Sequence, residues 1–125
     1  MSGKNSFGYL GHNFQIKLLN QLIIDKKFAS AIIDVMEARY FDNQYFKLIM
    51  QMIKEYHDKY NLPPSFDALD QISRIEVTSD MARQNVVDML IEVRDCPFED
   101  HLWVQEKSLK FCKQQELKKA ITKVN

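Results

Sequence analysis

The sequence predicts an all-α fold, a compact bundle of about five helices followed by a long C-terminal helix. Hydrophobic residues make up 46% of the 125 positions, which is enough for a packed core. Only three glycines and three prolines occur, too few for the many tight turns of an all-β sandwich. Apolar residues also recur at three- and four-residue steps along most of the chain. A chain of this length forms one domain at most.

The N-terminal part of the chain is predicted to contain an arm and two helices. Residues 1–12 hold all three glycines and are expected to form a flexible arm. From about Asn13 the apolar spacing becomes helical, and the charged run at 25–27 ends this first helix. A second, short helix is expected over 28–36.

The middle of the chain carries clear start and stop signals for two more helices. Asp42 or Asn43 is a candidate N-cap for a third, longer helix. Pro63 and Pro64 end that helix, because proline cannot continue helical geometry and disfavours it in the preceding residue. Ser65 is then a candidate N-cap for a fourth, short helix.

The last part of the chain is divided by one ambiguous segment and one proline. Residues 73–77 fit an extended segment as well as a helix. Thr78 or Ser79 is a candidate cap for a fifth helix, and Pro97 separates that helix from the long final one. The predicted organisation is thus an arm over 1–12, a helical domain over 13–95 and a long amphipathic helix over 96–125.

The final helix is the candidate interaction element. Residues 106–125 carry six lysines against two glutamates. The apolar residues of this helix form one stripe along it. This stripe could pack on the chain's own helices or on a partner helix, and the lysines could contact nucleic-acid phosphate. Trp103 and Phe111 are candidate partner-surface residues beside the stripe. The residues of the stripe that a partner helix would contact are Leu109, Cys112, Leu117, Ala120 and Ile121.

No catalytic, cofactor-binding or metal-ligating residues are predicted. The three histidines, His12, His57 and His101, are far apart in the sequence, and the spacing of Cys96 and Cys112 matches no zinc or redox motif. Phosphate-binding loops and nucleophile elbows are absent. The pattern therefore favours a binding or assembly domain over an enzyme.

Charge and hydropathy limit the expected partners and location. Seventeen basic residues balance seventeen acidic ones, so the net charge gives no argument for nucleic-acid binding. No apolar run approaches the ~18 residues of a membrane span, and the N-terminus lacks a signal-peptide core. A cytoplasmic protein without membrane partners is expected.

Three segments of the chain resemble the N-terminal domain of hexameric replicative DNA helicases of the DnaB type, especially those of T-even-like phages. They are the helix from Leu18 to Phe28, the stretch from Tyr40 to the Pro-Ser-capped helix ending at Leu69, and Cys96-Pro97-Phe98-Glu99-Asp100-His101-Leu102-Trp103 leading into Gln114-Gln115. The third segment is the most specific of the three.

The resemblance implies the role of a collar domain in DNA replication. In that family the N-terminal domains form a collar on a hexamer, receive the primase, and precede a RecA-like motor that uses ATP and Mg. A helix like 96–125 is the first arm of a hairpin through which subunits pair, so a fragment with half its hairpin is expected. DNA would be bound only through the full-length ring, in the host cytoplasm for a phage protein.

Two alternatives stay open at this point. The helicase-binding domain of a primase has a similar helical layout, although the acidic turn with its tryptophan favours the helicase. A small helical DNA-binding module is the other alternative, which the neutral net charge disfavours.

Overall fold

The computed structural model describes residues 5–124 and confirms the all-α prediction. No strand occurs within this range. None of its helices is both long and apolar enough to cross a membrane. The six helices are α1 (His12–Ile24), α2 (Lys26–Ile32), α3 (Gln44–Tyr60), α4 (Phe66–Glu76), α5 (Asp80–Asp95) and α6 (His101–Val124).

The helix boundaries are set by side-chain caps and by one left-handed residue. Asn43 accepts hydrogen bonds from the backbone N–H groups of the first turn of α3, and Ser65 and Ser79 do the same for α4 and α5. Asn61 adopts a left-handed conformation with φ of 58° and ends α3 ahead of the prolines. The ambiguous residues 73–76 continue α4, and Val77 is extended.

Helix α1 is the centre of the bundle. It packs against α2, α3, α5 and α6, while α4 lies against α3 and α5. Because neighbours surround α1, adjacent residues on it, such as Leu18 and Leu19, are both fully buried. The position of α6 is therefore fixed mainly by its contact with α1 and, to a smaller extent, with α2.

The structure corrects the expected flexible arm over residues 5–12. Ser6 caps a 3₁₀ turn at Phe7–Leu10, and α1 already begins at His12. The Phe7 ring is fully buried, with its centroid 4.5 Å from the Phe111 ring and 5.3 Å from the Phe41 ring. The glycine content predicted a flexible segment. The buried Phe7 ring instead packs this segment against the core. Residues 1–4 of the predicted arm lie outside the described residues.

Candidate interaction surface

Helix α6 has an inner face that belongs to the core. The buried Phe111 ring lies 4.5 Å from Phe7 and 5.2 Å from Tyr40, between centroids, so α6 closes over the N-terminal turn. The Sγ of Cys112 lies 4.0 Å from the Sδ of Met36. This inner face consists of Val104, Ser108, Phe111, Cys112 and Gln115.

Polar contacts fix α6 near its start. The segment before the helix turns at Asp100, whose φ is 59°, and Lys17 donates to the carboxylate of Asp100 at 3.2 Å. One turn further on, the Gln105 side chain donates to Gln21 at 2.6 Å and to Asp25 at 2.9 Å. The helix itself begins at His101.

An ion pair fixes the other end of α6. Lys119 donates to Glu37, which also accepts from Arg39 at 2.6 Å. Burial alone would raise the pKa of the Glu37 carboxyl, but the hydrogen bonds from Lys119 and Arg39 outweigh it and lower the pKa to about 2. The inner face is thus held to the bundle over about five turns.

The opposite side of α6 carries a second set of apolar side chains, which are exposed or half-buried within residues 5–124. Leu102, Leu117 and Ile121 are 71%, 62% and 56% exposed, Ala120 is exposed, and Leu109 is half-buried. At about 100° per residue, these positions centre on a direction roughly opposite to Ser108 and Gln115. We call Leu102, Leu109, Leu117, Ala120 and Ile121 the outer face.

The outer face contains a shallow groove of about 460 Å³. It is lined by the apolar side chains of Leu109 and Leu117 and by the polar side chains of Glu106, Lys110, Lys113 and Gln114. The two lysines make no ion pair or hydrogen bond within the described residues. Such a groove suits an apolar partner surface that offers negative charge.

The predicted site residues separate between the two faces. Leu109, Leu117, Ala120 and Ile121 share the outer face, and their role in subunit pairing stays a prediction. Cys112 and Phe111 do not, because they are 0% and 3% exposed and pack inside their own domain. Burial also raises the pKa of the Cys112 thiol to about 12. These two residues are therefore removed from the candidate surface.

Trp103 lies at the edge of the outer face. Its side chain is 49% exposed, and its ring meets Phe14 edge-on at 5.7 Å between centroids. The ammonium of Lys107 lies 5.9 Å from the centroid of the Trp103 ring. The exposed half of the Trp103 ring is thus available to a partner, while the other half packs against Phe14 of α1.

The three histidines have separate surroundings. His12 contacts Glu92 at 2.5 Å, and His101 stacks on Phe98. His57 is buried, and its Nε2 has no hydrogen-bond partner among residues 5–124. Within the described range, no three His, Cys, Asp or Glu side chains are arranged to hold a metal ion.

Sequence reasoning missed a second groove, which lies between α3 and α4. It is lined by Met52, Glu55, Tyr56, Lys59, Tyr60, Ile72 and Glu76. No sequence signal predicted this groove, because helical spacing assigns residues to a face but does not say how far two neighbouring helices stand apart.

Comparison with known proteins gives one informative relative. Over 107 residues, or 86% of this chain, the sequence is 25% identical to a DnaB-like replicative helicase of Enterobacteria phage T4. The chain spans 22% of the length of that relative. No protein-family model matches, and no solved structure matches.

Proposed function

We propose that this chain is a non-catalytic assembly domain of a phage replicative DNA helicase, and that the outer face of α6 joins it to another copy. The observation that carries this proposal is the second apolar face on a helix whose inner face is already held by its own domain. The similarity to a phage replicative helicase supports the helicase context over that of a primase.

The energetics of the outer face favour a protein partner. Burying apolar surface contributes roughly 25 cal/mol per Å², so each exposed leucine or isoleucine side chain offers about 1–2 kcal/mol to an association. Leu102, Leu117 and Ile121 are all more than half exposed. Monomeric proteins rarely leave contiguous apolar patches uncovered.

The outer face is also preorganised. Contacts at Asp100, Gln105 and Lys119 hold α6 along most of its length before any partner arrives. Little conformational entropy is therefore lost on docking, which is a large part of the cost of binding for mobile segments.

The wider role follows from the family resemblance and is part of the proposal. In the parent protein this domain would belong to the collar of a hexameric ring and would receive the primase near Trp103. A motor domain elsewhere in the parent would bind ATP and Mg and hydrolyse ATP. DNA would be bound by the ring, since this domain carries no excess of positive charge.

The test is a concentration series in analytical ultracentrifugation with Leu117→Glu and a matched control. Met81, on α5, is 74% exposed and lies away from α6, so Met81→Glu adds the same charge at an equally open apolar site. We expect the wild-type chain and Met81→Glu to self-associate at high micromolar concentration and Leu117→Glu to remain a monomer. A monomeric wild-type chain, or equal loss in both variants, would contradict the proposal.

A further inference from the structure

A groove between α3 and α4 is lined by both apolar and acidic side chains. It consists of two adjoining hollows of about 280 and 230 Å³. Met52, Glu55 and Glu76 line both hollows, so the two form one depression along the contact between the helices. We call this depression the α3–α4 groove. Its aliphatic lining consists of Leu48, Met52, Ile72 and Val77.

Two carboxylates of the α3–α4 groove have no cationic partner. Glu55 accepts one hydrogen bond, from the Gln51 amide at 3.4 Å. The side chain of Glu76, the last residue of α4, has no hydrogen bond or ion pair within residues 5–124. Because like charges on neighbouring helices repel each other, a cation bound near both carboxylates would stabilise the folded chain.

Basic residues offset this negative charge only in part. Lys59 lines the larger hollow, and its ammonium lies 5.4 Å from the centroid of the Tyr60 ring. Among the described residues, no basic side chain lines the smaller hollow, where Glu55 and Glu76 lie beside Gln51 and apolar residues. The side chains of the groove therefore carry two carboxylates against one ammonium.

Two tyrosines add a surface that attracts cations. The rings of Tyr56 and Tyr60 lie one turn apart on α3, with their centroids separated by 4.6 Å. The face of a tyrosine ring attracts a cation that lies within about 6 Å of its centroid. Lys59 has this position at Tyr60, whereas no ammonium or guanidinium of the described residues has it at Tyr56. The Tyr56 ring therefore remains for the cation of a ligand.

We propose that the α3–α4 groove binds a linear aliphatic polyamine, in which short methylene chains join several ammonium groups. The ammonium groups approach Glu55, Glu76 and the Tyr56 ring, and the methylene chains lie against Met52 and Ile72. The charge and the apolar surface of the groove then both find a complement in one ligand. The inference goes beyond the proposed function and does not depend on it, because no residue of α6 lines either hollow.

A bare metal ion fits the α3–α4 groove less well than a polyamine. Mg²⁺ and Ca²⁺ require about six or more oxygen ligands at close, defined distances. Within residues 5–124, no three His, Cys, Asp or Glu side chains are arranged to hold a metal ion. A metal ion also leaves the apolar lining in contact with water, whereas methylene groups cover it.

The test is a titration of the wild-type chain with spermidine at low ionic strength, followed by NMR of ¹³C-labelled methionine methyl groups. Met52 lines the groove, and Met81, on α5, is 74% exposed and lies outside it. We expect spermidine to shift the Met52 resonance with a Kd of about 1 mM or less and to leave Met81 unchanged.

Two comparison ligands separate the features that the groove recognises. Mg²⁺ supplies charge without an apolar chain, and n-butylamine supplies an alkyl chain with a single ammonium group. We expect both to bind at least about tenfold more weakly than spermidine, because each complements only part of the groove. The n-butylamine arm also represents a lysine side chain of a partner protein, which has the same single ammonium group.

Matched variants identify the residues that bind the ligand. Glu55→Gln/Glu76→Gln removes the two charges with little change of shape and should weaken spermidine binding at least about tenfold. Asp34→Asn/Asp88→Asn removes two carboxylates at exposed positions outside the groove and should bind like the wild-type chain. Tyr56→Leu keeps an apolar side chain without the ring and should weaken binding about threefold. Circular dichroism establishes that each variant is folded.

Three results would overturn the inference. The first is a Met52 resonance that does not move up to about 10 mM spermidine. The second is an equal loss of binding in the groove variant and in the Asp34→Asn/Asp88→Asn control, which would show an adventitious cation only. The third is n-butylamine binding as tightly as spermidine, which would assign the groove to a single ammonium group. The proposed function stands in all three cases, because self-association is measured without polyamine.

Discussion

The two faces of α6 carry similar apolar side chains but differ in what covers them. On the inner face, Phe111 and Cys112 are almost fully buried against the N-terminal turn and Met36. On the outer face of the same helix, Leu117 and Ile121 are more than half exposed. The inner-face residues pack against their own domain, and the outer-face residues are those that we propose to bind another copy.

The inner face contributes to the stability of the monomer, and the outer face does not. A buried aromatic ring on a close-packed core contributes several kcal/mol, since its removal leaves a cavity that neighbours refill only in part. An exposed leucine is also apolar but keeps most of its contact with water. The free energy of burying its side chain is therefore gained only when a partner binds.

The largest contrast between the faces is expected in thiol reactivity. We expect Cys112, in a Cys96→Ala background, to react with a thiol reagent at pH 8 at least about a thousandfold more slowly than a cysteine introduced by Ala120→Cys on the outer face. Burial raises the pKa of Cys112 from 9.0 to about 12, which alone lowers the thiolate fraction about a thousandfold.

The measurement is the labelling rate of the folded proteins followed by mass spectrometry. The Ala120→Cys chain should also carry Cys96→Ala and Cys112→Ala so that one thiol is followed at a time. Urea should make the two rates equal, because unfolding removes the burial. Comparable rates without urea would show that the inner face opens freely and is not the anchored side of α6.

The second contrast is expected in unfolding free energy. Phe111→Ala should destabilise the chain by about 3–5 kcal/mol, because it leaves a cavity between Phe7 and Tyr40. Leu117→Ala should change stability by less than about 0.5 kcal/mol when the protein is dilute enough to be monomeric. Urea unfolding followed by circular dichroism measures both, and similar losses would mean that the outer face is covered within the monomer.

Much of the fold could be predicted from the sequence because its signals are local. Caps such as Asn43, Ser65 and Ser79 act on the next turn of chain, so their effect can be inferred without knowing the tertiary structure. The packing of Phe7 could not be inferred, because it depends on residues up to about a hundred positions away.

The same dependence on distant residues explains why only some of the predicted surface residues lie on the outer face. Spacing assigned Leu109, Cys112 and Leu117 to one stripe, but 3.6 residues per turn place Cys112 closer to the buried side. Which side α1 and α2 would cover is a tertiary property. The α3–α4 groove could not be predicted for the same reason.

The smallest expected effect is a pH-dependent change in the free energy of unfolding. It concerns the ion pair at the C-terminal end of the inner face. Glu37→Gln should destabilise the chain by about 1 kcal/mol at pH 7, a value reduced by solvent screening because both partners are partly exposed. The pKa of Glu37 in the folded chain is about 2, below its ordinary 4.5. The stabilisation is therefore complete above about pH 5 and is lost as the pH falls towards 2.

Urea unfolding of the wild-type chain and Glu37→Gln at pH 7 and pH 3 tests this expectation, and the difference between the two proteins should fall by more than half at pH 3. Glu106→Gln is the matched control, since Glu106 lines the groove on the outer face and has no ion pair within the described residues. Glu106→Gln should leave the free energy of unfolding unchanged at both pH values. If Glu37→Gln behaves like this control, the Lys119 ion pair does not hold the end of α6. The inner face would then end near Gln115, and Ile121 would belong to a free helix end instead of a preorganised surface.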